Sequence, residues 1–550
     1  MALGGDPGVA AGVDASGEGR SDFVVVANRL PIDMERLPDG SVEWKRSPGG
    51  LVTALEPLLR RRSGAWIGWP GITDGDEEPI IDEDLRMYPV RLSGDDVAEY
   101  YEGFSNATLW PLYHDVIVKP VYHREWWERY VVVNRRFAEA VMAEVGDQAA
   151  FVFIQDYHLG LVARFLKEWR PDLEVALFWH IPWPNAEVFR IFPWKQELLE
   201  GMLANDLVGF HIRHHAHNFL DAVADVLEAR VDRERAAVER AGKRTWVRDF
   251  PIGVDATEIA AMAESQAARE AERRLRAQFG LTDCKVGLGV DRLDYTKGIP
   301  ERLEALERMF EKHPEWVGRF CFLQIGVPSR IQLKEYQDVL TRTLKRLERI
   351  NRGFGRPAPA GTATAWPEAV SSGVVRGGTL WLGEDSTPGI SFPSLESNHA
   401  RGGTPGVDGR TLPTVYLIKT SLDFRHLVPF YRMADLCTVT SLHDGMNLVA
   451  KEYIAATPDL DGALVLSPFT GAARELERAF IASPYDRESM ADVYHAALSE
   501  APESRRERMA ALRETVLRYN IFDWAIEVLD TVQRLTLRTP QGEAADAPRE

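Results

Sequence analysis

At 550 residues, with 45% hydrophobic side chains, 15 Trp and 23 Phe, the chain exceeds what one hydrophobic core supports and predicts two globular domains. A formal net charge of −18 argues against nucleic acid or an anionic membrane surface as partner, and the apolar runs are too short to span a bilayer. Three isolated cysteines (Cys284, Cys321, Cys437) without paired spacing, and a first twenty residues lacking a signal peptide's basic start and apolar core, point to a reduced, cytoplasmic protein.

After a tail over 1–20, expected to be disordered, Phe23-Val24-Val25-Val26-Ala27 reads as a buried strand ending at Asn28-Arg29-Leu30, and Pro48-Gly49-Gly50-Leu51 opens an amphipathic helix. Arg29 thus sits at a strand's carboxyl end, where open α/β sheets bind ligands, and Gly50 permits close approach of a ligand to the backbone. An aromatic stretch follows, with Trp66, Trp69, Tyr100, Tyr101, Phe104, Trp110, Tyr113 and His114 around Ser105 and Asn106. Most of these rings belong in a core, while one or two can face a pocket. A long helix is expected from His123 to Val145. Strand-like and helix-like segments then alternate: Phe151 to Ile154, His158 to Glu168, Val175 to Trp179, Glu187 to Leu203, Leu207 to Ile212, His215 to Leu227 and Val247 to Val254. Such alternation predicts a parallel sheet covered on both faces. Two of its strands end in Gln155-Asp156-Tyr157-His158 and His180-Ile181-Pro182.

A charged helical stretch from Thr257 to Phe279 leads into a second half with the same alternation: Val286 to Val290, Pro300 to Glu311, Phe320 to Ile325, Ile331 to Ile350, Val415 to Ile418, Leu436 to Leu442 and Leu464 to Leu466. The expected domains are 21–255 and 256–515, with a Gly, Pro, Ser and Thr-rich insertion over 356–410. A helical stretch from Glu503 to Leu535 includes a C-terminal helix over 516–537 expected to return to the first domain, and a disordered tail closes the chain over 538–550. The fold class predicted is α/β, two doubly wound domains facing a central cleft. Two loops of the second half carry chemistry. In Asp291 to Gly298, Arg292 and Lys297 crowd one strand end and suit a diphosphate, Arg as a fork and Lys as a point charge. In Asp444-Gly445-Met446-Asn447-Leu448-Val449-Ala450-Lys451-Glu452, a strand, tight loop and helix start aim unpaired N–H groups at a phosphate or sugar hydroxyl, with Glu452 a turn further on, able to take vicinal hydroxyls.

These motifs, in this order, resemble those of trehalose-6-phosphate synthases, retaining glycosyltransferases of the two-Rossmann, GT-B type. The resemblance runs from about Phe23 to Leu535 and is interrupted by the insertion. It implies that Arg292 and Lys297 hold the nucleotide diphosphate, Glu452 the ribose, and Gly50 with the backbone of Gly445, Met446, Asn447, Leu448 and Val449 the phosphates and the transferred glucose. Asp444 and His180 would contact that glucose and act in catalysis with Arg292 and Lys297. Arg29, Tyr101, Trp110 and Arg330 would grip the phosphate of the acceptor glucose-6-phosphate, with Trp69 and Asp156 lining its sugar. It further implies UDP-glucose as donor, with ADP- or GDP-glucose as alternatives, and a transfer that uses no metal or other cofactor. A homo-oligomer remains an option.

Two departures stand out: His443 precedes Asp444 where the family commonly has Arg, and the insertion is longer than expected. The rival readings are a sister enzyme using glycerol-3-phosphate as acceptor and a catalytically silent sugar-phosphate sensor; the latter should have lost one of Arg292, Lys297, Asp444 and Glu452, all of which are present. A nicotinamide-dependent oxidoreductase would need a Gly-x-Gly-x-x-Gly turn that the chain lacks.

Overall fold

The computed structural model describes residues 21–36, 42–46, 50–62, 64–73, 78–82, 85–281, 283–330, 332–357, 374–376 and 411–536. Both expected tails, and all of the insertion except residues 356–357 and 374–376, lie outside these residues.

Runs that are apolar on both faces, such as Val24-Val25-Val26 and Leu464-Val465-Leu466, are fully buried and can only be central strands of a covered sheet. The first half supplies β1 (Phe23–Arg29), β2 (Ile32–Arg36), β3 (Val42–Arg46), β4 (Ala65–Trp69), β5 (Ile80–Asp82), β6 (Leu85–Pro89), β7 (Phe151–Gln155), β8 (Glu174–Phe178), β9 (Leu207–Phe210), β10 (Arg230–Asp232), β11 (Ala237–Arg240) and β12 (Lys243–Asp249). Ten of these form one sheet, ordered β10-β11-β12-β9-β8-β7-β1-β4-β6-β5, and β2 pairs antiparallel with β3. From β12 to β6 the neighbours are parallel. The chain starts mid-sheet at β1, lays β4 and β6 on one side, then returns to place β7, β8, β9 and β12 on the other, so its direction reverses between β1 and β7.

The second half supplies β13 (Lys285–Arg292), β14 (Phe320–Val327), β15 (Arg356–Pro357), β16 (Val374–Arg376), β17 (Thr411–Leu412), β18 (Val415–Lys419), β19 (Leu436–Val439), β20 (Ala463–Leu466) and β21 (Phe480–Ile481). Its main sheet runs β16-β18-β14-β13-β19-β20-β21, parallel throughout, and reverses between β13 and β19. A fully buried arginine ties these strands beneath the reversal. Arg302 donates from Nη1 to Asp291 Oδ2 (2.5 Å) and Gln324 Oε1 (2.6 Å), and from Nε to Thr440 Oγ1 (2.9 Å).

Several expected elements end elsewhere. The strand expected to reach Val254 stops at Asp249, and the short antiparallel β10 and β11, charged along most of their length, had no apolar run to announce them. The stretch Glu187 to Leu203 divides into Ala186–Phe189 and Lys195–Met202 around Pro193, whose missing N–H and ring break a helix. Ser265 divides the charged stretch by ending one helix at Glu264 and capping the next, accepting from Ala268 N at 3.1 Å. Asn520 does the same between Pro502–Arg518 and Ile521–Thr536. The strand expected over Leu436 to Leu442 ends at Val439. Of the aromatic stretch, Trp66 and Trp69 lie in β4, Tyr100, Tyr101 and Phe104 in a π-helix, Val97–Leu109, a rare element that recurs at functional sites, and Trp110 and Tyr113 in the helical turn Trp110–Tyr113.

The first domain's core gathers Tyr100, Phe104, Tyr130, Trp179 and Trp183, and that of the second Leu303, Phe310, Phe322 and Tyr494. The helix Ile521–Thr536 packs Trp524 against Phe178 (5.0 Å between ring centroids) and Phe153 (6.1 Å) of the first domain. Cys321 and Cys437 are buried and Cys284 half-buried, all as free thiols. Among the described residues, no helix is long and apolar enough to cross a membrane.

Candidate active site

The two reversals bring the chemically equipped loops together, because the strands on either side of each leave a crevice at their carboxyl ends. After β13 the chain turns through Asp294 into Tyr295–Lys297 and then Gly298, whose φ of 63° and contact with the Thr440 carbonyl leave no room for a Cβ. That close approach seats Lys297 beside the loop after β19: Lys297 Nζ lies 2.6 Å from Asp444 Oδ2. Ser441 Oγ and Asn447 Nδ2 donate to the same carboxylate oxygen, each at 3.1 Å. Burial opposes ionisation of Asp444, yet the Lys297 charge and the hydrogen bonds from Lys297 and Asn447 hold its carboxyl well below the usual range. The helix Leu448–Ala455 is capped by Asn447, at φ 80°, which accepts from Ala450 N. The cap is Asn447 rather than Asp444, which leaves Asp444 to Lys297. Glu452, one turn along, accepts a hydrogen bond from Tyr431 at 2.7 Å, and burial pushes its carboxyl up.

Arg292 and Arg330 converge on one ring. Their guanidinium carbons lie 5.0 and 4.2 Å from the Trp110 centroid, and Arg292 Nη2 and Arg330 Nη1 are each 3.7 Å from Asp294 Oδ2. Burial opposes ionisation of Asp294, but Arg292, Arg330 and Lys297 outweigh it and keep the carboxyl below its ordinary value. Arg330, at φ 47°, also donates to Tyr336 (2.5 Å) and Tyr157 (3.1 Å). Two cations therefore share one buried anion.

On the first domain's side, Arg29 stacks over Trp69 (4.8 Å), Trp69 packs on Tyr101 (5.7 Å), and Tyr101 stacks on His158 (5.8 Å). Asp156, at φ 73°, accepts from Tyr157 N (2.9 Å) and His180 N (3.2 Å). Burial raises its pKa to about 6, against those two bonds and the charges of Arg292 and Arg330. His180 Nε2 lies 2.9 Å from Gln155 Oε1, and burial pushes the imidazole down to about 3, so the ring is neutral at working pH. The loops touch across the crevice: a Cβ on Gly445 would lie 2.5 Å from the His180 carbonyl oxygen. His443 Nδ1 is 3.2 Å from Asp115 Oδ2, a second link between the domains.

The structure thus gathers Arg292, Lys297, Asp444, Arg330, Trp110, Asp156 and His180 around one crevice, with Arg29, Trp69 and Tyr101 as a connected aromatic and cationic wall. Gly445, Met446, Asn447, Leu448 and Val449 follow Asp444 into the helix. Gly50 is the first residue of the helix Gly50–Arg61, but Pro48 and Gly49 lie outside the described residues. Sequence reasoning passed over Asp294, Tyr157, Tyr336 and Tyr431. Asp294 and Tyr157 stood inside quoted motifs, and their signal was adjacency to Arg292 and Asp156; Tyr336, six residues after Arg330, and Tyr431, 21 before Glu452, lie in helices whose patterning gave no sign of these contacts.

A sequence profile described as glycosyltransferase family 20 matches residues 21–360 and 409–534, and the break falls on the insertion. A trehalose-6-phosphate synthase of Mycobacterium sp. (strain KMS) is 46% identical over 539 residues, 97% of this chain and 98% of the relative. One from Mycolicibacterium smegmatis is 45% identical over 521 residues, 94% of this chain and 93% of the relative. Among solved structures, an alpha,alpha-trehalose-phosphate synthase (UDP-forming) from Burkholderia vietnamiensis matches with a TM-score of 0.77 at 28% identity, covering 94% of this chain and 98% of that one. A Burkholderia xenovorans enzyme in complex with glucose-6-phosphate matches with a TM-score of 0.75 at 27% identity, covering 94% of this chain and 100% of that one. With two facing doubly wound domains of the GT-B type and a profile match along most of its length, the chain belongs to glycosyltransferase family 20.

Proposed function

We propose that the chain transfers glucose, with retention, from a nucleotide-glucose donor to glucose-6-phosphate and so makes trehalose-6-phosphate. The observation that carries this reading is the row of cations on one crevice: Lys297 on Asp444, Arg292 and Arg330 together on Trp110 and Asp294, and Arg29 over Trp69 on the first domain's side. Two anionic sugars brought together need several such cations in an otherwise acidic protein. The relatives' names state trehalose-6-phosphate synthesis, one solved relative is UDP-forming and another holds glucose-6-phosphate.

In this reading Arg292, Lys297 and the N–H groups opening the helix Leu448–Ala455 neutralise the diphosphate as it leaves the sugar, and Glu452 takes the ribose hydroxyls. Asp444 and neutral His180 orient the transferred glucose by its hydroxyls. The acceptor phosphate sits among Arg330, Arg29 and Tyr101 against Trp110, and Asp156 and Trp69 hold its sugar. The acceptor hydroxyl then enters on the face the diphosphate leaves, which preserves configuration. Domain closure keeps water from competing for the sugar. The scheme uses no metal, since the fixed cations take the developing charge.

The test is product identification from UDP-, ADP- and GDP-glucose against glucose-6-phosphate and glycerol-3-phosphate. Trehalose-6-phosphate from UDP-glucose is expected; transfer only to glycerol-3-phosphate overturns the acceptor assignment.

A further inference from the structure

We propose that His443 is a further positioning residue for the transfer: as a neutral imidazole it seats the loop carrying Asp444 against the first domain, and taking up a proton unseats it. The proposal rests on the reading above, in which this loop closes over the donor glucose. His443 immediately precedes Asp444, and the groups around its ring come from the other domain. The ring centroid lies 6.0 Å from that of His114, which caps the turn Trp110–Tyr113, and 6.0 Å from that of His215 in the helix Arg213–Val226. His443 Nδ1 faces Asp115 Oδ2 at 3.2 Å but makes no hydrogen bond with it. Asp115 and Val116 hold left-handed backbone, at φ 53° and 56°, costly for a β-branched side chain, so surrounding structure rather than local preference aims this turn at the loop. Two residues beyond His443, a Cβ on Gly445 would meet the His180 carbonyl and the ring of His211.

The charges around the ring decide the sign. Its own loop supplies Asp444, which already answers Lys297; the facing turn supplies Asp115, half exposed to water; the facing helix supplies His214 and His215. Lys297 and Asp294 also face His114, and the Tyr485 phenol faces Asp115. Burial pushes the His443 imidazole below its ordinary value and outweighs the pull of Asp115 and Asp444. His114 and His215 are pushed down to about 3, mainly by burial and next by His443 itself. His114 Nδ1 donates to the Trp110 carbonyl at 2.7 Å, which fixes its tautomer and ties the seam to the ring that carries Arg292 and Arg330. Three neutral rings pack together, whereas an imidazolium among them is a buried charge that the nearby carboxylates match poorly. His443 is the member carried by the second domain, so opening the crevice returns it to water and to an ordinary value of about 6.5. Because the closed crevice depresses that value, closure goes unopposed above about pH 6.5 and is opposed increasingly as pH falls below it.

Calorimetric binding of UDP-glucose to the full-length protein, without acceptor and from about pH 7.5 to about pH 5.5, tests this. A diphosphate esterified at both ends does not titrate in that range, so the dependence belongs to the protein. A proton held only by the open form weakens apparent affinity about tenfold one unit below the imidazole's ordinary value, and that loss is expected by about pH 5.5. His443→Asn and the longer, equally neutral His443→Gln should lose most of this dependence, whatever their affinity near neutral pH, while Asp115→Asn should keep it. Asp156 is unchanged in all three and contributes to each alike. Parent-like dependence in both His443 variants overturns the proposal and leaves the transfer reading standing. So does UDP-glucose binding that tightens with acid, the behaviour of a His443–Asp115 ion pair that latches the loop. No binding of UDP-, ADP- or GDP-glucose near neutral pH overturns the donor reading, and this proposal with it.

Discussion

Arg292 and Arg330 share Trp110 and Asp294 but differ in setting: the Arg292 side chain is 40% exposed and reaches toward the crevice, whereas that of Arg330 is 6% exposed and pinned by Tyr157 and Tyr336. Losing a cation that meets charge developing in the transition state costs about 10²–10³ in kcat, so Arg292→Ala should lower kcat by that order. Arg330→Ala should instead raise the KM for glucose-6-phosphate, with the KM for the donor nearly unchanged. Initial rates with each substrate varied separate the two, and equal losses on both substrates in both variants would contradict the division of labour. Asp156 gives a pH prediction. Its pKa is raised to about 6, mainly by burial, so the fold favours the neutral carboxyl; the stability this contributes is full below the ordinary value of 3.8 and lost as pH rises through about 6. Activity runs the other way, because holding the acceptor sugar needs the carboxylate. The KM for glucose-6-phosphate should rise as pH falls below about 6, and Asp156→Asn should remove that limb while keeping whatever limb the substrate's own phosphate contributes. A pH profile of that KM in both proteins decides it.

At the scale of elements, the crevice depends on loops that approach more closely than side chains allow. Gly298 meets the Thr440 carbonyl and Gly445 the His180 carbonyl, so the loops after β13, β19 and β8 are mutually positioned by backbone contact, to which the Lys297–Asp444 ion pair adds. Beneath them, Arg302 joins β13, β14 and the end of β19 in a dry network with Asp291, Gln324 and Thr440. Removing one partner of a buried ion pair leaves an uncompensated charge, so Asp291→Ala should destabilise the second domain by about 3–5 kcal/mol, read as a lowered Tm in thermal unfolding. A loss below about 1 kcal/mol would mean water reaches Arg302.

For the whole molecule, the last helix closes the structure on itself. Trp524 is fully buried against Phe153 and Phe178, 6.2 Å from His180 between ring centroids, and Lys451 in the second domain donates to the Ile252 carbonyl at 2.8 Å. Trp524→Ala should cost about 3–5 kcal/mol through the cavity it leaves, measured as a fall in Tm, and should reduce turnover because the wall behind His180 loses support. The amino-acid sequence by itself determined the alternation of strands and helices, the parallel sheets, and the strand ends bearing Arg29, Asp156, Arg292 and Asp444. Each of those follows from periodicity, caps and turn residues within a dozen positions, where backbone sterics and amphipathicity act. Only the tertiary structure decided which strand ends lie side by side, that Arg330 joins Arg292 on Asp294, and that Tyr336 reaches Asp294 and Tyr431 reaches Glu452. Those pairings join residues far apart in the chain, and they are set by which faces bury each other, a choice no local stretch contains.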